Sequence, residues 1–123
     1  MDTIGSSDGA IAPWDIVRVD FPFADQAATR RRPALVIATP AATDAFSIVW
    51  MLMITSATHE PWPLDVPISD LQLGGLSHAC VVRTGKVTTL DSRLAARIGE
   101  LSVADRAKVA ARLRALLGSV LAG

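Results

Sequence analysis

Three adjacent arginines, Arg30, Arg31 and Arg32, run directly into Pro33 and the apolar stretch Ala34–Ala38. A guanidinium is a permanently charged, forked donor that fits phosphate or carboxylate oxygens, so the cluster has the chemistry of a local anion site. Proline fixes its own φ and biases the residue before it toward extended backbone; Arg32 therefore projects from a stiff position, while Arg30 and Arg31 are expected on a looser loop. A solvated charged loop is the competing reading of such a triplet. Its isolation favours the site, because no Lys or Arg occurs between Pro33 and Val82, and the next cations are Arg83 and Lys86. Arginine transfers protons poorly, since an ordinary pKa of about 12.5 to 13.8 leaves almost no free base near neutrality. Histidine is the side chain suited to that task, and His59 sits in a loop with Glu60, Trp62 and two prolines. A loop histidine with no chemical role is the alternative, and His78, beside Cys80, reads as structural. Cys80, the single cysteine, excludes an internal disulfide and reads as a small buried hydrophobe beside Val81 and Val82. One Cys and two distant His give no metal-ligand spacing, so neither a metal nor another cofactor is expected.

These residues need elements to hold them. A chain of 123 residues, half of it hydrophobic, has room for one core and one domain over residues 13–123. Residues 1–12 are acidic and rich in Gly and Ser, which predicts a flexible tail and not a signal peptide. Twelve basic and twelve acidic residues cancel, so no global field draws the molecule to nucleic acid or an anionic membrane. The longest apolar run, Ile48–Ile54, is far short of the roughly 20 residues that span a bilayer. A cytoplasmic protein is expected.

Asp15–Phe21 alternates, with Val17, Val19 and Phe21 on one face, and predicts a half-buried strand. Ala34–Ala38 predicts a central strand broken by Thr39-Pro40, with a turn over residues 41–45. Ser47–Ser56 predicts a long strand, Leu64–Ile68 a short edge strand with Pro67, and Gly74-Gly75 a sharp connection. Ala79–Thr84 and Lys86–Leu90 flank Gly85, the pattern of a bent or bulged strand. A helical turn within Asp91–Ala96 and a short extended piece at Arg97–Leu101 follow. Ser102 with Asp105 three residues on is a helix start, and Val109, Leu113, Leu116 and Val120 form its apolar stripe, with Gly118 as the expected stop. Five or more strands and one terminal helix in so short a chain predict a mainly β (α+β) fold, a strongly curved sheet or partly closed barrel with the helix as a lid.

In order along the chain stand Asp15-Ile16-Val17 with Asp20-Phe21-Pro22-Phe23, Arg31-Arg32-Pro33-Ala34-Leu35-Val36, Ile54-Thr55-Ser56, Val81-Val82-Arg83 and Thr88-Thr89-Leu90-Asp91. In this order and spacing they resemble the MazF/PemK toxins of type II toxin–antitoxin systems, over about Trp14 to Leu117. The resemblance implies a small SH3-like β-barrel of the CcdB/PemK kind with a C-terminal helix. It also implies a homodimer, a cognate antitoxin protein, and a metal-independent endoribonuclease that cuts single-stranded RNA at short sequences. Arg32, directly before the proline, and Thr55, at the end of the long strand, match the catalytic pair of one branch. Ser56 matches an adjacent hydroxyl, and Arg83 matches a catalytic Arg of another branch. That branch has Asp two residues further on, where this chain has Gly85.

On such a substrate the 2′-hydroxyl is the nucleophile. The protein needs only to hold the phosphate, stabilise the charge of the pentacoordinate transition state and handle two protons. Arg32 and Thr55 fit the first two tasks. Arg30, Arg31, Ser56, His59 and Arg83 are the expected substrate contacts, with Trp62 either stacking on a base or packing over an edge strand. Trp14 and Trp50 are expected in the core or the dimer interface. A non-catalytic member of the same fold, acting by RNA binding or by CcdB-like inhibition of a protein, is the alternative. The CcdB mode depends on a Trp-containing C-terminal tip, whereas this sequence ends Val120-Leu121-Ala122-Gly123.

Overall fold

The computed structural model describes residues 10–21, 30–42 and 47–123, with the backbone alone at Phe21, Arg30, Ala41 and Ala42. Most of the expected tail, the loop over 22–29 and residues 43–45 of the turn expected over 41–45 lie outside the described residues, while Ala41 and Ala42 are strand and not turn. The elements run β1 (Asp15–Phe21), β2 (Arg30–Ala42), β3 (Ser47–Ser56), β4 (Asp65–Pro67), α1 (Leu71–Gly74), β5 (Cys80–Asp91), a 3-10 turn (Ser92–Leu94), β6 (Ala95–Glu100) and α2 (Val103–Leu121). All strand pairs are antiparallel, in the order β4-β5-β3-β2-β1-β6.

The long apolar runs are explained by a sheet buried on both faces. On one face Ile16, Leu35, Leu52, Ile54, Val66 and Val82 pack with Leu101 and Val109 of the helical region. On the other, Val17, Val19, Ala34, Val36, Val49, Met51 and Met53 pack together, with Ile11, Leu90 and Ala95 against them. Because successive side chains of a strand point to opposite faces, β2 feeds Leu35 to one core and Ala34 and Val36 to the other.

The sheet is mainly antiparallel β with a terminal helix, as expected, but it does not close into a barrel. β4 and β6 are its two edges. β4 has three residues and ends in Pro67, which has no N–H with which to extend a ladder. A close backbone approach takes the place of pairing: Gly99 of β6 lies so near α1 that an added Cβ would come within 2.4 Å of Gly74 C and Leu73 O. Gly75, at φ 71°, ends α1 in the left-handed conformation that glycine adopts without cost.

Three local expectations are corrected. Arg30 and Arg31, expected on a loop, are with the extended Arg32 the first residues of β2, and the three pair with Phe21, Asp20 and Val19. Thr39-Pro40 does not end that strand; shifts of the β2–β3 register between Val36 and Ala38 and between Ala38 and Ala41 absorb the proline. Gly118 does not stop α2, which continues to Leu121 because a one-residue glycine penalty of about 1 kcal/mol is small within a long helix. The helix begins as expected: the Ser102 side chain accepts from Asp105 N–H at 3.3 Å. Asp105 is itself buried, and its carboxylate accepts from Ser69 N–H at 2.8 Å and from the Ser69 hydroxyl, which ties α2 to the chain after β4.

Candidate functional site

Strand register assembles the site. β2 and β3 pair Leu35 with Leu52 and Ala34 with Met53; continuing that register brings Arg32 opposite Thr55, on the face that carries Ala34 and Met53. β5 flanks β3 on its other side, with Val81 opposite Thr55 and Cys80 opposite Ser56. At these strand ends lies an open cleft of about 330 Å³ lined by Arg31, Arg32, Pro33, Thr55, Ser56 and His59, with Ile54, His78 and Cys80 completing its wall. An apolar floor with cations on one rim and hydroxyls on the other can hold a phosphodiester and aim hydrogen-bond donors at it.

The chain leaving β3 turns back at once. His59 N–H donates to Ser56 O at 3.1 Å, while Ser56 Oγ lies 2.9 Å from Thr58 Oγ1 and accepts from Thr58 N–H at 3.3 Å. This turn returns His59 to the strand end, where its Nδ1 lies 2.6 Å from Thr55 Oγ1. The loop beyond is fastened from below by Arg83. Its side chain is buried, donates to both carboxylate oxygens of Asp65 at 3.3 and 3.1 Å, and donates to Glu60 O at 2.8 Å. The guanidinium also lies 4.4 Å from the centroid of the Trp62 ring, within cation–π range. Asp65 in turn accepts from Trp62 N–H at 2.9 Å, and Thr84 Oγ1 donates to Leu64 O at 2.8 Å, holding Leu64 at its strained φ of 71°.

Of the residues singled out in the sequence, Arg31, Arg32, Thr55, Ser56 and His59 come together on this cleft. Arg83 does not; it lines a second cleft with Trp62, Asp65 and Val81, and His59 stands between the two. The Arg30 side chain lies outside the described residues. Arg31 is exposed and paired with Asp20 across the β1–β2 ladder at 3.0 Å. His78 and Cys80 were read as structural, yet both wall the cleft. The signal was present, because Cys80 opens a strand whose partner is the strand ending in Ser56. Burial pushes the Cys80 thiol up from its ordinary value, so it remains a protonated, packed group. Trp62 packs over the buried Arg83 and near Gly85, about half exposed. At the other end of β5 from Cys80, Asp91 is held down at about 2 by hydrogen bonds from Arg93. Among the described residues no three His, Cys, Asp or Glu side chains gather as metal ligands, and no helix is long and apolar enough to cross a membrane.

The family model for the PemK-like, MazF-like toxin of type II toxin-antitoxin systems matches residues 12–117. Among solved structures, a MazE-MazF complex from Deinococcus radiodurans is similar with a TM-score of 0.66 at 29% identity, covering 86% of this chain and 94% of that one. An endoribonuclease in complex with its cognate antitoxin from a mycobacterial species gives a TM-score of 0.65 at 20% identity, over 89% of this chain and 96% of that one. A Mycobacterium tuberculosis MazF toxin gives 0.62 at 19% identity, over 81% and 92%. The two mycobacterial likenesses speak for the fold. No curated protein matches the chain. With a family model spanning the whole of the sheet and most of α2, this chain belongs to the PemK-like, MazF-like toxins of type II toxin–antitoxin systems.

Proposed function

We propose that this toxin is a metal-independent endoribonuclease that cuts single-stranded RNA in the cytoplasm by attack of the 2′-hydroxyl on the adjacent phosphate. The observation that carries the reading is the convergence of Arg31, Arg32, Thr55, Ser56 and His59 on one open cleft in a chain of this family. Arg32 and Thr55, which the continued β2–β3 register sets opposite each other, act at the pentacoordinate phosphorus: the guanidinium supplies paired charged donors to its oxygens, and the Thr55 hydroxyl stands beside the attacking 2′-oxygen. Arg30 and Arg31 grip the backbone of flanking nucleotides, and Ser56 and His59 contact the scissile segment. Arg83, matched to a catalytic Arg elsewhere in the family, acts here by fixing the loop that carries His59 and Trp62.

The toxin works as a homodimer and is silenced by a cognate antitoxin. A dimer is favoured by an apolar groove of about 580 Å³ between α2 and the sheet, where Trp50, Val87, Leu116 and Leu117 stand exposed. The deciding experiment incubates the purified protein, in EDTA, with a long RNA of mixed sequence and sequences the new ends. Cuts confined to one short motif, leaving 2′,3′-cyclic phosphate and 5′-hydroxyl ends, are the expected result. Intact RNA, or cleavage only after a divalent metal is restored, overturns the reading.

A further inference from the structure

Arg32 accounts for charge but leaves the 2′-hydroxyl proton without an acceptor, and the geometry around Thr55 supplies one. We propose that His59 is the proton acceptor of the reaction, acting through the Thr55 hydroxyl; the assignment rests on the endoribonuclease reading above. The contact between Thr55 Oγ1 and His59 Nδ1, at 2.6 Å, is the shortest polar contact at the cleft among the described residues. It is built from both sides. Thr55 is fixed in a strand paired with Val81, and His59 is turned back by its own N–H bond to Ser56 O. The residue after it, Glu60, is pinned through its carbonyl by the buried Arg83. Four residues of chain are thus held at two ends so that one ring nitrogen meets one hydroxyl, which is the preorganisation a relay needs.

In the resting site the Thr55 hydroxyl donates to Nδ1. As the 2′-oxygen attacks and forms its bond to phosphorus, its proton passes to Thr55 Oγ1 while the Thr55 proton passes to His59 Nδ1. The P–O5′ bond breaks and its electron pair leaves with the 5′-oxygen, which takes a proton from water. The protonated imidazole then returns its proton to the hydroxide so formed, so the site is restored. Among the described residues, the charged and titratable groups around the ring are Arg31 and Arg32 from β2, Glu60 beside it, His78 before β5 and the Cys80 thiol that opens it, and Asp65 with Arg83 across the second cleft. Asp65 and Arg83 are paired with each other, and among the described residues Arg32, the cation that holds the substrate phosphate, makes no ion pair.

The test is single-motif RNA cleavage over a range of pH by wild type, His59→Asn and His59→Ala. Asn can hydrogen-bond Thr55 at the Nδ1 position but cannot take a proton. His59→Asn is expected to lower kcat by about a hundredfold with KM within about threefold, and to remove the unit-slope acidic limb of the pH–rate profile. His59→Ala is expected to regain part of its rate with added imidazole. Wild-type activity matched by His59→Asn with an unchanged pH profile overturns the assignment alone, as does a rate loss with an unchanged profile and no imidazole rescue. A wild type inert on every RNA overturns the endoribonuclease reading and the assignment with it.

Discussion

Arg32 and Arg31 are neighbours in sequence and opposites in role because a strand sends successive side chains to opposite faces. Arg31 faces Asp20 and is partly neutralised by it, whereas Arg32 is half-buried on the face of Ala34 and Thr55. Replacing Arg32 by Ala is expected to slow cleavage by at least about a hundredfold, the loss typical of one transition-state donor. Since Arg32 makes no ion pair among the described contacts, the thermal midpoint should hardly move, as for most surface changes within about 0.5 kcal/mol. Arg32→Lys keeps a point charge but loses the forked geometry and is expected to fall between the two. Single-turnover cleavage beside a thermal melt checks all three; full activity in Arg32→Ala would refute the role.

At the scale of elements, the site is a strand end backed by a loop, and the loop is held by β4 and β5. Asp65 and Arg83 lie 18 residues apart and are both about nine-tenths buried, so each compensates the charge the other brings inside. Removing one partner leaves a buried charge alone, and Arg83→Met or Asp65→Leu should each cost about 3 to 5 kcal/mol, whereas the double variant recovers most of that loss. Urea midpoints at constant m-value measure it. Because Arg83 also holds Glu60 O and Trp62, the double variant should recover stability without recovering cleavage. Restored cleavage would show that the loop does not depend on Arg83.

At the scale of the whole molecule, an unclosed sheet is covered by a helix that overruns it. Val109 is buried and Leu113 partly so, but Leu116 is 42%, Leu117 47% and Val120 74% exposed. The apolar stripe expected along α2 therefore packs at its start and stands free at its end, beside Trp50 and Val87. A second copy seated on this groove, as proposed above, would make the stripe continuous with a core. Leu117→Asp is expected to halve the mass seen by light scattering and to leave the circular dichroism spectrum unchanged, since the side chain it replaces is half exposed. An unaltered mass would refute a dimer formed through this groove.

Much of this was legible in the chain because it depends on neighbours. The alternation in Asp15–Phe21, the hydroxyl-ended run Ser47–Ser56, the Ser102–Asp105 cap and the bulge near Gly85 are patterns over a few residues, and the structure has each of them. The resemblance carried by Arg32-Pro33 and Thr55-Ser56 belongs to the same class. What depends on distant partners was not legible. The arginine triplet became strand because Phe21, Asp20 and Val19 were there to pair with it, and Pro40 was tolerated because the partner strand shifted. Arg83 turned inward because Asp65 met it, and the sheet kept two edges, one of them the three-residue β4 that ends in Pro67. Side-chain type and local period decide which residues can do the chemistry; register between strands decides which of them meet.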